Sequence, residues 1–372
     1  MNFSYWEHKT WLSAIDFTIV GSGIVGLHCA LYVKKRFPKA KVLLLEKGML
    51  PQGASTKNAG FACFGSLSEI LSDLESHSEA AVVALVKKRL DGIHLLRNNL
   101  GDAAIGYKNY GGHELFLENK LDLYQHCLDQ MGHVNKMLQA VFDEAPFKTN
   151  VNRFNFKKTQ ENYITHTYES QIDTGKMMQS LLHKVQQQGI LILNNVSVQS
   201  FTTLNNSVAI QTDTFALQTK KLMVATNGFA AQLVQEKVSP ARAQVLITQP
   251  IKNLHIKGIF HIDQGYYYFR NIEDRILFGG GRNLDFTTEE TAEFGQTSLV
   301  QNQLEKMLKE IILPKIPFKI DQRWSGIMGM GKHKNPIVKQ VAPHVYCGVR
   351  LGGMGIAIGS LIGKELADLV EW

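Results

Sequence analysis

The clearest pattern in the chain is "IDFTIVGSGIVGLHCALYVKKRF", where residues 17–20 form a short apolar run and residues 27–36 then carry apolar positions every three or four places. A continuous run that gives way to a 3.6-residue period predicts a buried strand followed by a helix. "KVLLLE" at 41–46 reads as the next strand, residues 67–100 carry Leu, Ala and Val at helical spacing, strand-like segments surround 110–117, and a further helical pattern covers 121–140. From 173 onward the pattern alternates again between helix and strand. Asp173 and Thr174 are helix caps, Met177, Leu181 and Val185 form one stripe, Gly189 ends the helix, and a strand begins at Ile190. Alternation near 208–210 and 215–217 predicts a small antiparallel excursion, and "KLMVATNG" (221–228) predicts a buried strand closing in a turn. "GYYYFR" (265–270) predicts a strand whose tyrosines face alternate sides.

Between the first strand and its helix stand Gly21, Gly23 and Gly26, spaced G-x-G-x-x-G and enclosing Ile24 and Val25. The first glycine permits the tight turn, the second lets backbone approach a pyrophosphate, and the third lets helix and strand pack closely. Phosphates then face unpaired N–H groups at the helix N-terminus. Glu46, at the end of the second strand and twenty residues beyond Gly26, is an acceptor for ribose hydroxyls. Strand, glycines, helix, strand and acid in this order predict a bound dinucleotide, NAD or FAD. An NAD dehydrogenase would run directly into further strand–helix units, whereas here Glu46 is followed by "KGMLPQGASTKNAGFACFGS" and a long helical stretch.

Composition narrows the picture modestly. A chain of 372 residues fits one large domain or two interlocked ones. The net charge of +7 comes from Lys and Arg scattered along the chain, with no recognition motif, which argues against a nucleic-acid partner and suits an anionic small ligand. Four scattered cysteines predict free thiols and no metal site. No apolar run is long enough for an integral membrane segment, and the start lacks the features of a secretory signal, so the expected location is cytoplasmic.

The ordered set "IVGSGIVGLHCAL", Glu46, "GASTKNAGFA", "GILILNNVSV", "LMVATNG", "PARAQVLITQP", "FGGGR" and "WSGIMGM…NPIV…VYCGVRLGGMGIAIGSLIGKELADLV" resembles the FAD-dependent D-amino-acid-oxidase-like (DAO) oxidoreductases. That family includes glycine oxidase, sarcosine oxidase, D-amino-acid dehydrogenase and gamma-glutamylputrescine oxidase. The resemblance covers nearly the whole chain. It implies an α/β fold: an FAD-binding Rossmann-type (glutathione-reductase-like) domain with an inserted substrate domain on a mainly antiparallel sheet. The FAD domain is expected at 1–90, 165–235 and 320–372, and the substrate domain at 91–164 and 236–319.

The resemblance further implies that Glu46 and Lys47 lie at the adenosine end, with Ser55, Thr56, Asn58, Ala59, Gly60 and Phe61 beneath the isoalloxazine. Val198 contacts adenine, Ala225, Thr226 and Gly228 form the adjoining strand-end turn, and Gly352, Gly353, Met354, Gly355 and Ile356 close over the flavin. FAD is expected to be non-covalent, because the segment "MGMGKHKNP" offers no cysteine where sarcosine-oxidase-like members attach the flavin. The implied reaction is oxidation of the C–N bond of a small amine or amino acid by hydride transfer to flavin N5, with oxygen or a quinone as acceptor. Candidates for holding the substrate are Arg350, Tyr267, Arg282 and Arg270, since a guanidinium fork matches a carboxylate. Met328 stands where glycine-oxidase-like members carry arginine. Alternatives on the same fold are a 2-hydroxy-acid or glycerol-phosphate-type dehydrogenase, a flavin-dependent tRNA-modifying enzyme, and a flavin-binding protein without turnover.

Overall fold

The computed structural model describes residues 2–371. Its first eight-stranded sheet is built on parallel strands in the order Leu191–Leu193, Val42–Leu45, Ile15–Val20, Ala216–Val224 and Val345–Val349, with Ile337–Ala342 antiparallel at the edge. Val42–Leu45 and the C-terminal part of Ala216–Val224 are apolar and buried because both faces of the sheet are covered there. Phe17 and Ile19 enter one core, shared with the helices Ile24–Arg36 and Gly355–Asp368, while Val20, Leu43 and Leu45 belong to a second core. The two helices meet closely enough that a Cβ at Gly363 would lie 2.6 Å from the Val25 carbonyl oxygen. The N-terminus, middle and C-terminus of the chain therefore converge on one nucleotide-type half. Strands Val198–Thr203 and Val208–Thr212 pair antiparallel beside Ala216–Val224, as the alternation predicts.

The helical pattern over 67–100 resolves into two helices, Leu67–Leu74 and Glu79–Leu100; Ser78 caps the second. The second eight-stranded sheet runs in the order Ile320–Met330, Ser239–Thr248, Arg275–Gly280, Tyr267–Ile272, Ile259–Ile262, Gly112–Leu115, Asn162–His166 and Phe147–Val151. Within this second sheet only the pairing of Ile259–Ile262 with Gly112–Leu115 is parallel among the described residues. One face carries Phe260, Tyr267, Phe269 and Phe278 into a core with helix Ser298–Met307. The other face looks toward the nucleotide-type half.

One expected boundary shifts. The resemblance places residues 320–330 in the FAD domain, whereas Ile320–Met330 pairs along its length with Ser239–Thr248 and forms the edge of the second sheet. The physical reason is hydrogen-bond register: ladder pairing decides which sheet a strand joins, and "WSGIM" carries no local sign of its partner. No helix is long and apolar enough to cross a membrane among the described residues.

Candidate functional site

The glycine turn is a shaped backbone concavity. Gly21 adopts φ +101°, where a Cβ would also lie 2.9 Å from the Ala225 carbonyl oxygen. A Cβ at Gly26 would sit 1.9 Å from the Gly21 carbonyl oxygen, so Gly26 is required for strand–helix contact and does not itself line the cavity. Gly23 leads helix Ile24–Arg36 with no side-chain cap of its own, and the Ile24 N–H donates to Ser55 Oγ at 2.9 Å. At the end of the second strand, buried Glu46 accepts from the Ser22 N–H (3.0 Å) and hydroxyl (2.7 Å) through Oε2 and from the Gly48 N–H (2.9 Å) through Oε1. Its carboxylate is therefore fixed in orientation.

A cavity of about 1320 Å³ joins this turn to the second sheet. Its walls include Gly21, Gly23, Ile24, Val25, Glu46, Lys47, Ser55, Asn58, Ala59, Gly60, Phe61, Val198, Ala225 and Thr226, and also the closing turn Gly352, Gly353, Met354, Gly355 and Ile356. Thr56, Gly228 and Gly26 lie outside the lining. Thr56 Oγ1 donates to the Pro51 and Gly53 carbonyls, and Gly228 packs against Met328, where a Cβ would be 2.6 Å from the Met328 carbonyl oxygen. Asn58 acts as a clamp: Nδ2 donates to the Ala54 and Ser55 carbonyls, while Oδ1 accepts from the Gly60 N–H and the Thr174 hydroxyl, both at 2.8 Å.

Across the second sheet, register aligns Val245, Gly279, Tyr268, His261 and Glu114 in one row on the face toward the nucleotide-type half. A Cβ at Gly279 would meet the Tyr268 ring at 2.7 Å, so the missing side chain lets that ring lie across the strand. Tyr268 and His261 line the cavity and both stand edge-on to Phe61, at 5.7 and 5.4 Å between centroids. Burial pushes the Tyr268 hydroxyl up to about 12, leaving it a hydrogen-bond donor rather than a phenolate.

His261 Nε2 lies 3.3 Å from Glu169 Oε2, a buried ion pair. Burial alone would lower the imidazole, but the bond and charge of Glu169, helped by Glu69 and Glu114, hold it up at about 9. Burial likewise opposes ionisation of Glu169, yet His261, His166 and the Phe64 N–H (2.7 Å) keep its carboxyl at about 2. Glu114 is different: burial raises it to about 7, against the opposing bonds from Ser68. Cys63, whose Sγ lies within 4.8 Å of ligand atoms of Glu169 and His261, is pushed well above the ordinary thiol value by burial and by Glu169. It remains a thiol, and the other three cysteines are free and buried as well.

The four proposed substrate-holding residues fall in different places. Tyr267 faces the opposite core and is replaced at the cavity by its neighbours Tyr266 and Tyr268, because successive strand residues alternate. Arg270 shares the inward face but stops short of the cavity: its Nη1 donates to the Gly60 (3.1 Å) and Ile172 (2.7 Å) carbonyls, and burial lowers it to about 10. Arg350, in the left-handed region at φ +64°, lines the cavity but donates through Nε and Nη2 to the Asn335 carbonyl. Arg282 lines the cavity half-exposed, with its guanidinium 4.8 Å from the Phe286 ring centroid. The sequence reading missed His261, Glu169 and Tyr268. Only the strand alternation carried a hint, since Tyr267 and Arg270 stand an odd number of positions apart and cannot share a face.

Glycines whose Cβ atoms would fill the turn, a helix N-terminus whose N-cap residue is a glycine, an oriented carboxylate and a cavity reaching the second sheet define a dinucleotide-binding oxidoreductase fold. The sequence matches the DAO family, FAD dependent oxidoreductase, over residues 16–369, and the protein belongs to that family. Its cofactor is FAD, and the cradle just described fits it. The probable oxidoreductase OrdL of Haemophilus influenzae is 20% identical over 414 residues, covering 100% of this chain and 90% of that one. Similar solved structures are glycine oxidase from Geobacillus kaustophilus (TM-score 0.76, 17% identity, 95% of this chain and 94% of that chain) and L-proline dehydrogenase from P. horikoshii (TM-score 0.74, 17% identity, 95% and 92%).

Proposed function

We propose that the protein oxidises the C–N bond of a small amine or amino acid, with FAD held non-covalently. The observation that carries this reading is the row of His261 and Tyr268 over the glycine cradle in one cavity, which brings a fixed cation and a hydroxyl donor opposite the cofactor loop at Phe61. FAD, when bound, would supply the acceptor for the hydrogen and electron pair of the substrate C–H bond. With the nitrogen lone pair closing the C=N bond and an N–H proton passing to water, the product would be an imine that water hydrolyses to a carbonyl and an amine or ammonia. The site is suited to a substrate that arrives as the neutral amine. His261 is already protonated near neutral pH and Tyr268 holds its proton, so neither is a base.

The test is anaerobic addition of amines, amino acids, 2-hydroxy acids and glycerol phosphate to the purified holoenzyme, following the oxidised-flavin absorbance. Bleaching by at least one amine or amino acid is expected. Bleaching by a hydroxy acid or glycerol phosphate, with none from any amine, overturns the reading in favour of the dehydrogenase alternative. Admitting oxygen or a quinone to the bleached sample identifies the acceptor.

A further inference from the structure

The three candidate arginines leave the interior of the cavity without an obvious partner for an anionic substrate. Arg270 donates through Nη1 to backbone carbonyls and does not line the cavity, Arg350 donates through Nε and Nη2 to the Asn335 carbonyl, and Arg282 stands at the half-exposed rim. Buried Arg89 also lines the cavity, but its Nη1 is directed at the Phe64 carbonyl. His261 is placed differently. It is 5% exposed and lines the cavity, its Nε2 is engaged by Glu169, and its Nδ1 has no hydrogen-bond partner among the described residues. We propose that the Nδ1–H of His261, backed by Glu169, is the subsite that takes the carboxylate of the substrate. The inference rests on the amine or amino-acid reading above and narrows it to amines that carry a carboxylate.

The surroundings favour this assignment. Glu169 is oriented by the Phe64 and Gly65 N–H groups, at 2.7 and 3.1 Å, in addition to His261, so it cannot turn away. A Cβ at Gly112 would lie 1.8 Å from Glu169 Oε2, so the sheet is carved to seat this carboxylate. The charged and titratable groups facing His261 come from several elements. Glu69 accepts from the Ser66 N–H at the start of helix Leu67–Leu74; Glu114, held at about 7 by burial, is bonded to Ser66 and Ser68, and is a carboxylate across the range from pH 8 to pH 10, so it adds no change of charge there. Cys63 stays a thiol, Tyr268 stays a phenol, and burial keeps His113 and His166 uncharged, at about 3 and 4. Arg89, the other cation beside Cys63, directs Nη1 at the Phe64 carbonyl and keeps a buried Nε without a partner, whereas the Nδ1–H of His261 belongs to a side chain whose other nitrogen is already fixed by Glu169. A charge-assisted N–H···O bond in a buried site is the strong kind.

The experiment uses oxidised holoenzyme and unreactive probes: acetate and benzoate against their neutral counterparts acetamide and benzamide, titrated by the change in visible flavin absorption. The carboxylates are expected to bind at least tenfold more tightly than the amides. Their affinity should fall about tenfold from pH 8 to pH 10 as a histidine titrating near 9 loses its proton. His261→Gln should weaken carboxylate binding tenfold or more at pH 8, flatten this pH dependence and retain FAD. Glu169→Gln should weaken binding at pH 8 and recover it near pH 6, because the imidazole then titrates lower. Equal binding of acids and amides, or carboxylate affinity unchanged between pH 8 and pH 10 in the unmodified enzyme, overturns the proposal even if neither variant folds. The probes are not oxidised, so this outcome is separable from the amine panel: an absence of amine bleaching with the carboxylate pattern intact would sink the reaction and leave the subsite.

Discussion

Two surfaces meet in one cavity and are made in opposite ways. The cofactor side is largely backbone: Gly21 and Gly26 bring main chain close to main chain, Gly23 brings it close to Ser55, and the glycines themselves are neighbours in sequence. The substrate side is side chains: Val245, Gly279, Tyr268, His261 and Glu114 come from five different strands and are aligned only by sheet register. The first kind of site tolerates almost no added atom. The second tolerates substitution but changes its chemistry with each one.

The largest effect should follow from breaking the backbone side. Gly26→Val places a side chain where even Cβ would be 1.9 Å from the Gly21 carbonyl oxygen, and no flexible group is present to yield. A loss of about 4 kcal/mol or more is expected, at the severe end for single substitutions. The purified variant should be unstable to urea and devoid of flavin absorbance. Retention of stoichiometric FAD at unchanged stability would show that the glycine spacing is not what shapes the cradle.

This contrast explains what was legible in the sequence. The strand–glycine–helix–strand–acid order could be read because its geometry is local, and the family's motifs carried Ser55 to Phe61 and Gly352 to Ile356 to the cavity wall. The substrate face was not legible in the same way. Nothing near "FHI" says that His261 will stand beside Tyr268, or that Glu169, ninety-two residues earlier, will pair with it. Arg270 shows the limit from the other side. An arginine on the correct face and strand turns out to hold the Gly60 and Ile172 carbonyls, which only the packed interface between the two halves decides. Tyr267 was selected from a run of three tyrosines, and strand alternation leaves the outer two inward.

A smaller effect is expected on the substrate side at Gly279→Ala. The added Cβ would meet Val245 Cγ1 at 2.5 Å and the Tyr268 ring at 2.7 and 2.8 Å, but these are side chains that can move. The cost should be about 1–3 kcal/mol, the usual range for overpacking. FAD should be retained, while displacement of the Tyr268 ring lowers kcat/KM by about tenfold, roughly 1.4 kcal/mol of transition-state stabilisation. Steady-state kinetics with whichever amine bleaches the flavin, alongside FAD stoichiometry, checks it. Loss of FAD in this variant would mean that the two surfaces are not separable.

The smallest effect sharpens the comparison to a single strand. Tyr267 and Tyr268 are adjacent, yet one enters the core with Phe269 and Phe278 and the other lines the cavity. Tyr267→Phe removes a hydroxyl with no hydrogen-bond partner among the described residues, so stability should change by less than about 0.5 kcal/mol and kinetics not at all. Tyr268→Phe removes the donor that burial holds protonated, and kcat/KM should fall several-fold with stability nearly unchanged. Urea midpoints and kcat/KM measured on both variants give a two-by-two outcome. If Tyr267→Phe impairs turnover and Tyr268→Phe does not, the inward face of Tyr267–Ile272 is the other one, and the row containing His261 would turn away from the cavity with it. Adjacent residues on one strand cannot exchange roles singly, because a side-chain period of two moves the entire row together.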